Sequence, residues 1–434
     1  MHPAATNRER ECGLKICRVG RRVGGVKLAA ASRGALAMAL ISALLVMAGP
    51  AQGQTGSALY SFAGGSDGAN PLASLVADGA GNLYGTTFLG GAGVGRGHGT
   101  VFELSPNGGG GWNETVLYSF TGGADGGYPL YANLTLDGQG NLYGTASAGG
   151  AHGMGVVFEL SPAGGSWTET VLYSFAGGTD GASPISGLVK DAAGNYYGAT
   201  NAGGAATWGV IYELSPSGGG WTEQVIYTFV NQVDINYDGL AMDSAGNIFT
   251  ATYAPGTILE VSPNGQGGWS GTVIHTYAGP PKDGAQPSGT PVVGKDGSLY
   301  GTTRSGGANN FGTVYRLTPI TKGKKKGTWK EKILYSFKGG TKDGSSPFAG
   351  ITFDAAGNIY GTTITGGTTG VGTVYELVAP VGKGGYKEKV LWSLARKTGS
   401  SPFDSVILDS AGNVYGTAYQ GGANGDGGVF EVSP

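Results

Sequence analysis

The chain has 434 residues, of which 88 are glycine and only 13% are charged, and its formal net charge is −2. That balance argues against a nucleic-acid binder, which needs cationic surface to meet phosphate. Both cysteines, Cys12 and Cys17, lie near the N-terminus, so no disulfide or thiolate metal site is expected in the rest of the chain.

Residues 1–53 read as a secretory signal peptide. Eight basic residues precede an apolar run from Ala35 to Met47, and small residues follow through Gly53. The run is shorter than the roughly 20 residues a bilayer span needs. Cleavage is expected after Ala51 or Gly53. Arg21-Arg22 has the basic pair of a twin-arginine signal without its usual flanks, and neither cysteine sits at the cut as a lipoprotein anchor would require. The product is expected to be secreted, extracellular or periplasmic, and monomeric, with no membrane span. It keeps 19 basic and 27 acidic residues, a net −8. Seventeen of those basic residues, with seven acids, lie between Lys282 and Lys397, so one sector of the fold should be positive and the rest strongly negative.

From Ala58 onward the chain repeats. A Leu-Tyr-Ser-Phe-like strand recurs at Leu59, Leu117, Leu172, Ile226, Ile274, Leu334 and Leu391, about every 55 residues. The repeats thus begin near 58, 116, 171, 225, 273, 333 and 390. Within each come an Asp-x-x-Gly-Asn hairpin (Asp78–Asn82, Asp137–Asn141 and equivalents), Tyr-Gly-Thr-Thr, a Gly-Gly loop, and Val-Phe-Glu-Leu-Ser-Pro. The fifth repeat writes its hairpin as Lys295-Asp-Gly-Ser298. Four short apolar and β-branched segments per repeat, separated by turn residues, predict a four-stranded antiparallel sheet. Packing such sheets around a closed ring buries both faces. The expected fold is therefore all-β, a seven-bladed β-propeller over residues 57–434. The opening segment Ala58–Phe62 has the pattern of an outer strand, and Val429–Ser433 that of a third strand, so the first strand is expected to complete the last blade. The recurring Trp112, Trp167, Trp221, Trp269 and Trp329, each ahead of the outer strand, read as packing residues. The repeated Asp67, Asp125, Asp180, Asp283 and Asp343 read as acceptors within their own turns.

The run Tyr-Ser-Phe-x-Gly-Gly-x-Asp-Gly-x-x-Pro, then Asp-x-x-Gly-Asn-Leu-Tyr-Gly-Thr-Thr, then Gly-Thr-Val-Phe-Glu-Leu resembles the GloVer repeat of secreted bacterial proteins. The resemblance covers Ala58 to Pro434. It implies export, and it carries no catalytic residues over. Proteins with that repeat often end in a sorting anchor, whereas this chain ends inside a repeat.

Candidate chemistry is sparse. Beyond the leader the histidines are His98, His152 and His275, on different repeats and without zinc spacing. No helix follows the Gly-rich loops to make them phosphate cradles. No catalytic residue is assigned. The fourth repeat replaces its Gly-Gly turn with Asp234-Ile-Asn236-Tyr-Asp238-Gly239, the front half of a calcium loop. Asp234, Asn236, Asp238 and the carbonyl of Leu240 are the candidate calcium ligands, although the closing carboxylate is missing. Counting back five residues from each hairpin places Asp238 and Asp404 near the axis, where an axial metal could serve a hydrolase or lyase. Trp208, Tyr253 and Phe311, in the variable second loop, are candidate rings for stacking on a ligand. The leading expectation is a secreted binding or scaffolding propeller recognising a glycan or an extracytoplasmic protein through one face. The alternatives are the axial-metal enzyme and a structural component of an envelope or matrix.

Overall fold

The alternation of β-branched and aromatic residues between glycine turns becomes, in the computed structural model, a ring of seven antiparallel sheets. The described residues are 54–93, 95–230, 239–254 and 256–434. The first blade runs outward through Val76–Ala77, Leu83–Thr87, Thr100–Pro106 and Trp112–Ser119. Most innermost strands are only two residues long, less than the sequence pattern suggests. The fifth blade is the exception, its inner strand spanning Gly284–Val293. The tryptophans stand at the start of the outer strands rather than ahead of them, and Trp112, Trp167, Trp269 and Trp329 each meet a ring of the preceding blade, as Trp167 does with Tyr84 at 6.4 Å, whereas Trp221 meets Tyr196 of its own blade. The ring closes as expected. Thr55–Ser61 pairs antiparallel with Gly428–Ser433, putting Ala58 opposite Phe430.

Seven apolar clusters fill the ring, each shared by two adjacent blades. Tyr84 and Val101 of the first blade, for example, pack with Leu142 and Phe158 of the second. Burial of both sheet faces against neighbours, not propensity within a blade, is what stabilises such short strands. In the second strand, the glycine of Tyr-Gly-Thr lies under an aromatic ring of the third. A Cβ on Gly85 would fall 2.6 Å from Phe102, and one on Gly416 would fall 2.5 Å from Phe430. The fourth blade replaces both partners, setting Thr250 opposite Leu259.

Polar groups repeat as strictly as apolar ones. Asp78 accepts from the backbone NH groups of Ala80 and Asn82 (both 2.9 Å), from Asn82 Nδ2 (2.8 Å) and from the Tyr84 hydroxyl (3.1 Å). That network explains the Asp-x-x-Gly-Asn-x-Tyr spacing, and it holds the aspartate below its ordinary pKa despite burial. The fifth blade rebuilds it differently. Asp296 accepts from Ser298 and pairs with Arg316, at the position where the first blade has Glu103. Near the axis a threonine latches each of four blades to the next: Thr145 to Ser186 O (2.9 Å), Thr302 to Ala349 O (2.8 Å), Thr362 to Asp404 O (3.4 Å) and Thr417 to Ala73 O (3.0 Å).

The aspartates of the Gly-Gly turns do accept within their own turns. Asp67 Oδ2 takes Ala63 NH (2.7 Å) and the Tyr60 hydroxyl (3.1 Å). Beside it lies a glutamate of the next outer strand. Burial, with the charge of the neighbouring aspartate, pushes Glu114, Glu169, Glu223 and Glu388 up to about 7 and Glu331 up to about 8.

Candidate binding face

The loop entering each blade and the loop between its second and third strands meet on one face, as the bridge between Ala69 and Leu89 records. At the centre of this face the axis is capped by side chains from several blades. Tyr131 of the second blade stacks on Phe348 of the sixth (6.5 Å, 30°), and because those blades are not neighbours the contact crosses the centre of the ring. Phe403 and Tyr419 of the seventh continue the row at 5.3 and 5.5 Å. Arg304 of the fifth lies 6.0 Å above Phe348 and donates to the Tyr253 hydroxyl at 3.3 Å.

Next to this cap, where the sixth, seventh and first blades meet, is a cavity of about 650 Å³. Its lining includes Asn70, Arg96, Arg396, Ser400, Ser401, Tyr419, Gln420 and Asp426. Arg96 and Arg396 are exposed, and among the described residues neither forms an ion pair. Arg96 is one of only two basic residues that the chain carries after its leader and outside Lys282–Lys397. Backbone bonds hold the walls, Asn70 NH donating to Asp426 O (2.7 Å) and Asn70 Nδ2 to Tyr419 O (3.0 Å). Two further cavities, of about 360 and 560 Å³, lie between neighbouring Asp-x-x-Gly-Asn hairpins on the opposite face.

The three candidate rings fall in two places. Trp208 and Phe311, 38% and 43% exposed, occupy equivalent positions on the third and fifth blades, each one residue before the glycine that precedes the third strand. Phe311 lies over Gly339 in the turn entering the next blade. Met154, 42% exposed, has the same place on the second blade, a position that the pattern of aromatic residues does not mark. Tyr253 is half-buried and belongs to the axial cap. The candidate calcium residues Asp234, Asn236 and Asp238 lie outside the described residues, as does the leader. Leu240 is described, and its side chain is buried in the cluster between the third and fourth blades.

Of the axial carboxylates, Asp404 is buried, and burial raises its pKa to about 6. Both its oxygens are occupied: Oδ1 by Ser74 Oγ (2.8 Å) and Ser405 NH (2.5 Å), Oδ2 by Ser74 NH (2.9 Å). Those bonds join the seventh blade to the first, which is a bracing role. His98 packs against Tyr128 at 5.1 Å, His152 is exposed in its loop, and His275 stands on an outer strand.

The Gloeobacter/Verrucomicrobia repeat model matches residues 45–258 and 247–434. The chain belongs to that repeat family. Members of this family are recognised by the repeat itself, and the match spans every blade described above. A search of curated proteins finds no match. Among solved structures, the extracellular domain of the proposed one component system BT4673 from B. thetaiotaomicron is 10% identical, with a TM-score of 0.50. That match covers 88% of this chain and 40% of the other. A proposed 6-phosphogluconolactonase from Bacteroides uniformis ATCC 8492 is 15% identical over 71% of this chain and 81% of its own, with a TM-score of 0.47. A protein of unknown function from Dyadobacter fermentans DSM 18053 is 12% identical over 88% and 98%, with a TM-score of 0.44. These likenesses concern the fold alone. Among the described residues no helix is long and apolar enough to cross a membrane.

Proposed function

We propose that this protein is exported, loses residues 1–53, and acts as a binding propeller whose ligand is an acidic glycan held on the loop-bearing face. The observation that carries the reading is the polar cavity between the sixth, seventh and first blades, with two unpaired guanidiniums in its wall. A guanidinium fork matches a carboxylate in two parallel hydrogen bonds. Hydroxyl and amide groups of Ser400, Ser401, Asn70 and Gln420 suit sugar hydroxyls, and the Tyr419 ring offers an apolar face for a pyranose. Trp208, Phe311 and Tyr253 extend the same face for longer chains. Calcium at Asp234, Asn236, Asp238 and Leu240 O belongs to this proposal as a support for the loop entering the fourth blade.

The test is a polysaccharide array containing neutral and uronic-acid polymers, run with calcium and again with chelator. Binding to the acidic polymers is expected, reduced at least tenfold by Arg396→Ala and by Tyr419→Ala. An array silent under both conditions, or binding indifferent to both substitutions, would sink the reading and leave a protein partner as the ligand class. Chelator that changes nothing would remove calcium alone.

A further inference from the structure

One side-chain group between outer strands, at the seam of the fourth and fifth blades, departs from the repeat. At four seams a tyrosine of one outer strand donates to the aspartate of the following turn: Tyr60 to Asp67 (3.1 Å), Tyr118 to Asp125 (3.0 Å), Tyr173 to Asp180 (3.1 Å) and Tyr335 to Asp343 (2.6 Å). The glutamate of the next outer strand completes each group. Between the fourth and fifth blades the tyrosine is replaced by His275, and the group becomes His275, Asp283 and Glu331.

Exchanging a hydroxyl for an imidazole changes what the group can do. A tyrosine donates to the aspartate, whereas His275 Nε2 stands 4.0 Å from Asp283 Oδ2, beyond hydrogen-bond reach. His275 Nε2 and Glu331 Oε1 are both buried without a hydrogen-bond partner. One ligand atom from each of the three residues lies within 4.8 Å of the others. Among the described residues this is the one such cluster of histidine and carboxylate side chains. Asp283 is already oriented by Ala278 NH and Gly284 NH, both at 2.7 Å.

We propose that His275, Asp283 and Glu331 bind a divalent transition-metal ion, zinc by donor class, that pins the outer strands of the fourth and fifth blades. One imidazole and two carboxyl groups, with Glu331 giving up its proton as the ion enters and a water in the fourth position, form a donor set that zinc accepts. At this seam the fourth blade has Ala251 at the position of the latch threonine.

The test is zinc titration of the purified, chelator-treated protein by calorimetry, with cobalt substitution read by visible absorption. One ion per chain is expected, together with a rise in melting temperature on adding zinc. His275→Tyr restores the residue of the other four seams and should fold, while losing more than about 100-fold in affinity, beyond the 10–100-fold typical of outer-shell partners. Glu331→Gln is the second variant, read in case the first fails to fold, and a loss of at least about tenfold is expected. Zinc that gives no heat and no shift overturns the proposal. So does binding equally tight in wild type and His275→Tyr, which would place the ion at other histidines or at Cys12 and Cys17.

Discussion

The seam between the seventh and first blades and the seams flanking the fourth blade are built from the same repeat and bonded very differently. At the first of these, beside the strand that closes the seventh blade, the Thr417 latch, the Asp404–Ser74 bonds and the Asn70 contacts act together. Around the fourth blade, Ala199 and Ala251 replace the latch threonine, Thr250 and Leu259 replace the glycine–aromatic pair, and Gly271 stands where the first blade has the seam glutamate Glu114. A ring is only as closed as its weakest seam, and the covalent chain already ties the third, fourth and fifth blades in sequence. The chain also passes from the seventh blade into the first, from Ser61 to Val76, and the join made by hydrogen bonds alone lies within the seventh blade, between Thr55–Ser61 and Gly428–Ser433, with the extra bonds gathered beside it. Relaxed constraints around the fourth blade leave room for its side chains to diverge, His275 among them.

The largest expected effect that separates these regions is steric. Gly416→Ala would drive a Cβ to within 2.5 Å of Phe430 in a filled core, and overpacking of that kind costs about 1–3 kcal/mol. Thr250→Ala, at the equivalent position of the fourth blade, removes atoms instead and loses two long bonds, to Gly239 O (3.3 Å) and Ala251 O (3.5 Å). Its cost should be about 1 kcal/mol or less. Urea unfolding midpoints of the two variants check this. Equal losses would mean that the fourth blade is packed as tightly as the others and that the contrast is only one of sequence.

The second comparison concerns the latches. Thr417→Val keeps the shape of the side chain but takes the donor from the buried Ala73 carbonyl, and should cost about 1–3 kcal/mol. Thr86, at the same position of the first blade, has a buried hydroxyl with no hydrogen-bond partner. Thr86→Val should therefore be neutral or slightly stabilising. Chemical denaturation of the pair gives opposite signs if the latch acts through its hydrogen bond, and equal losses if only volume matters.

How much of this was legible in the sequence follows from what a repeat can and cannot encode. Seven repeats, four of them with the full Asp-x-x-Gly-Asn-x-Tyr-Gly-Thr run at Asp78, Asp137, Asp354 and Asp409, fix strands, turns and ring closure because the copies make the same local bonds. The cavity was not legible: Arg96 and Arg396 are 300 positions apart, and only closure of the ring brings their loops together. The His275 group was within reach. Aligning the repeats sets His275 in a column that otherwise holds five tyrosines and Trp392, eight residues before Asp283, with Glu331 two residues after Trp329. Reading histidines one at a time concealed it, since neither carboxylate belongs to the same strand. Trp208 and Phe311 were found because large exposed rings stand out, but their separation from Tyr253 depends on strand position, which the loop sequence does not reveal.

The smallest effect sharpens the comparison through protons. Five seam glutamates are pushed up to about 7 or 8 by burial beside aspartates, so between pH 4.5 and 8 the folded chain retains protons that the unfolded chain has released. Their contribution is fully present below the ordinary glutamate pKa and is lost as pH rises through the folded values. The hairpin aspartates Asp78, Asp137, Asp191 and Asp409 have lowered values, and their contribution is lost as pH falls below the usual aspartate range. The two trends bracket a stability maximum near pH 5, which melting curves from pH 3 to 8.5 would locate. Glu114→Gln should flatten the decline above pH 5 by a fraction, since four other glutamates remain. The strand of the fourth blade, with Gly271 in place of the glutamate, contributes nothing to the slope. Gly271→Ala is the steric counterpart at this seam: a Cβ there would run into the Tyr227 ring, so it should lower the melting temperature, whereas an unchanged value would show that the ring has room to move aside.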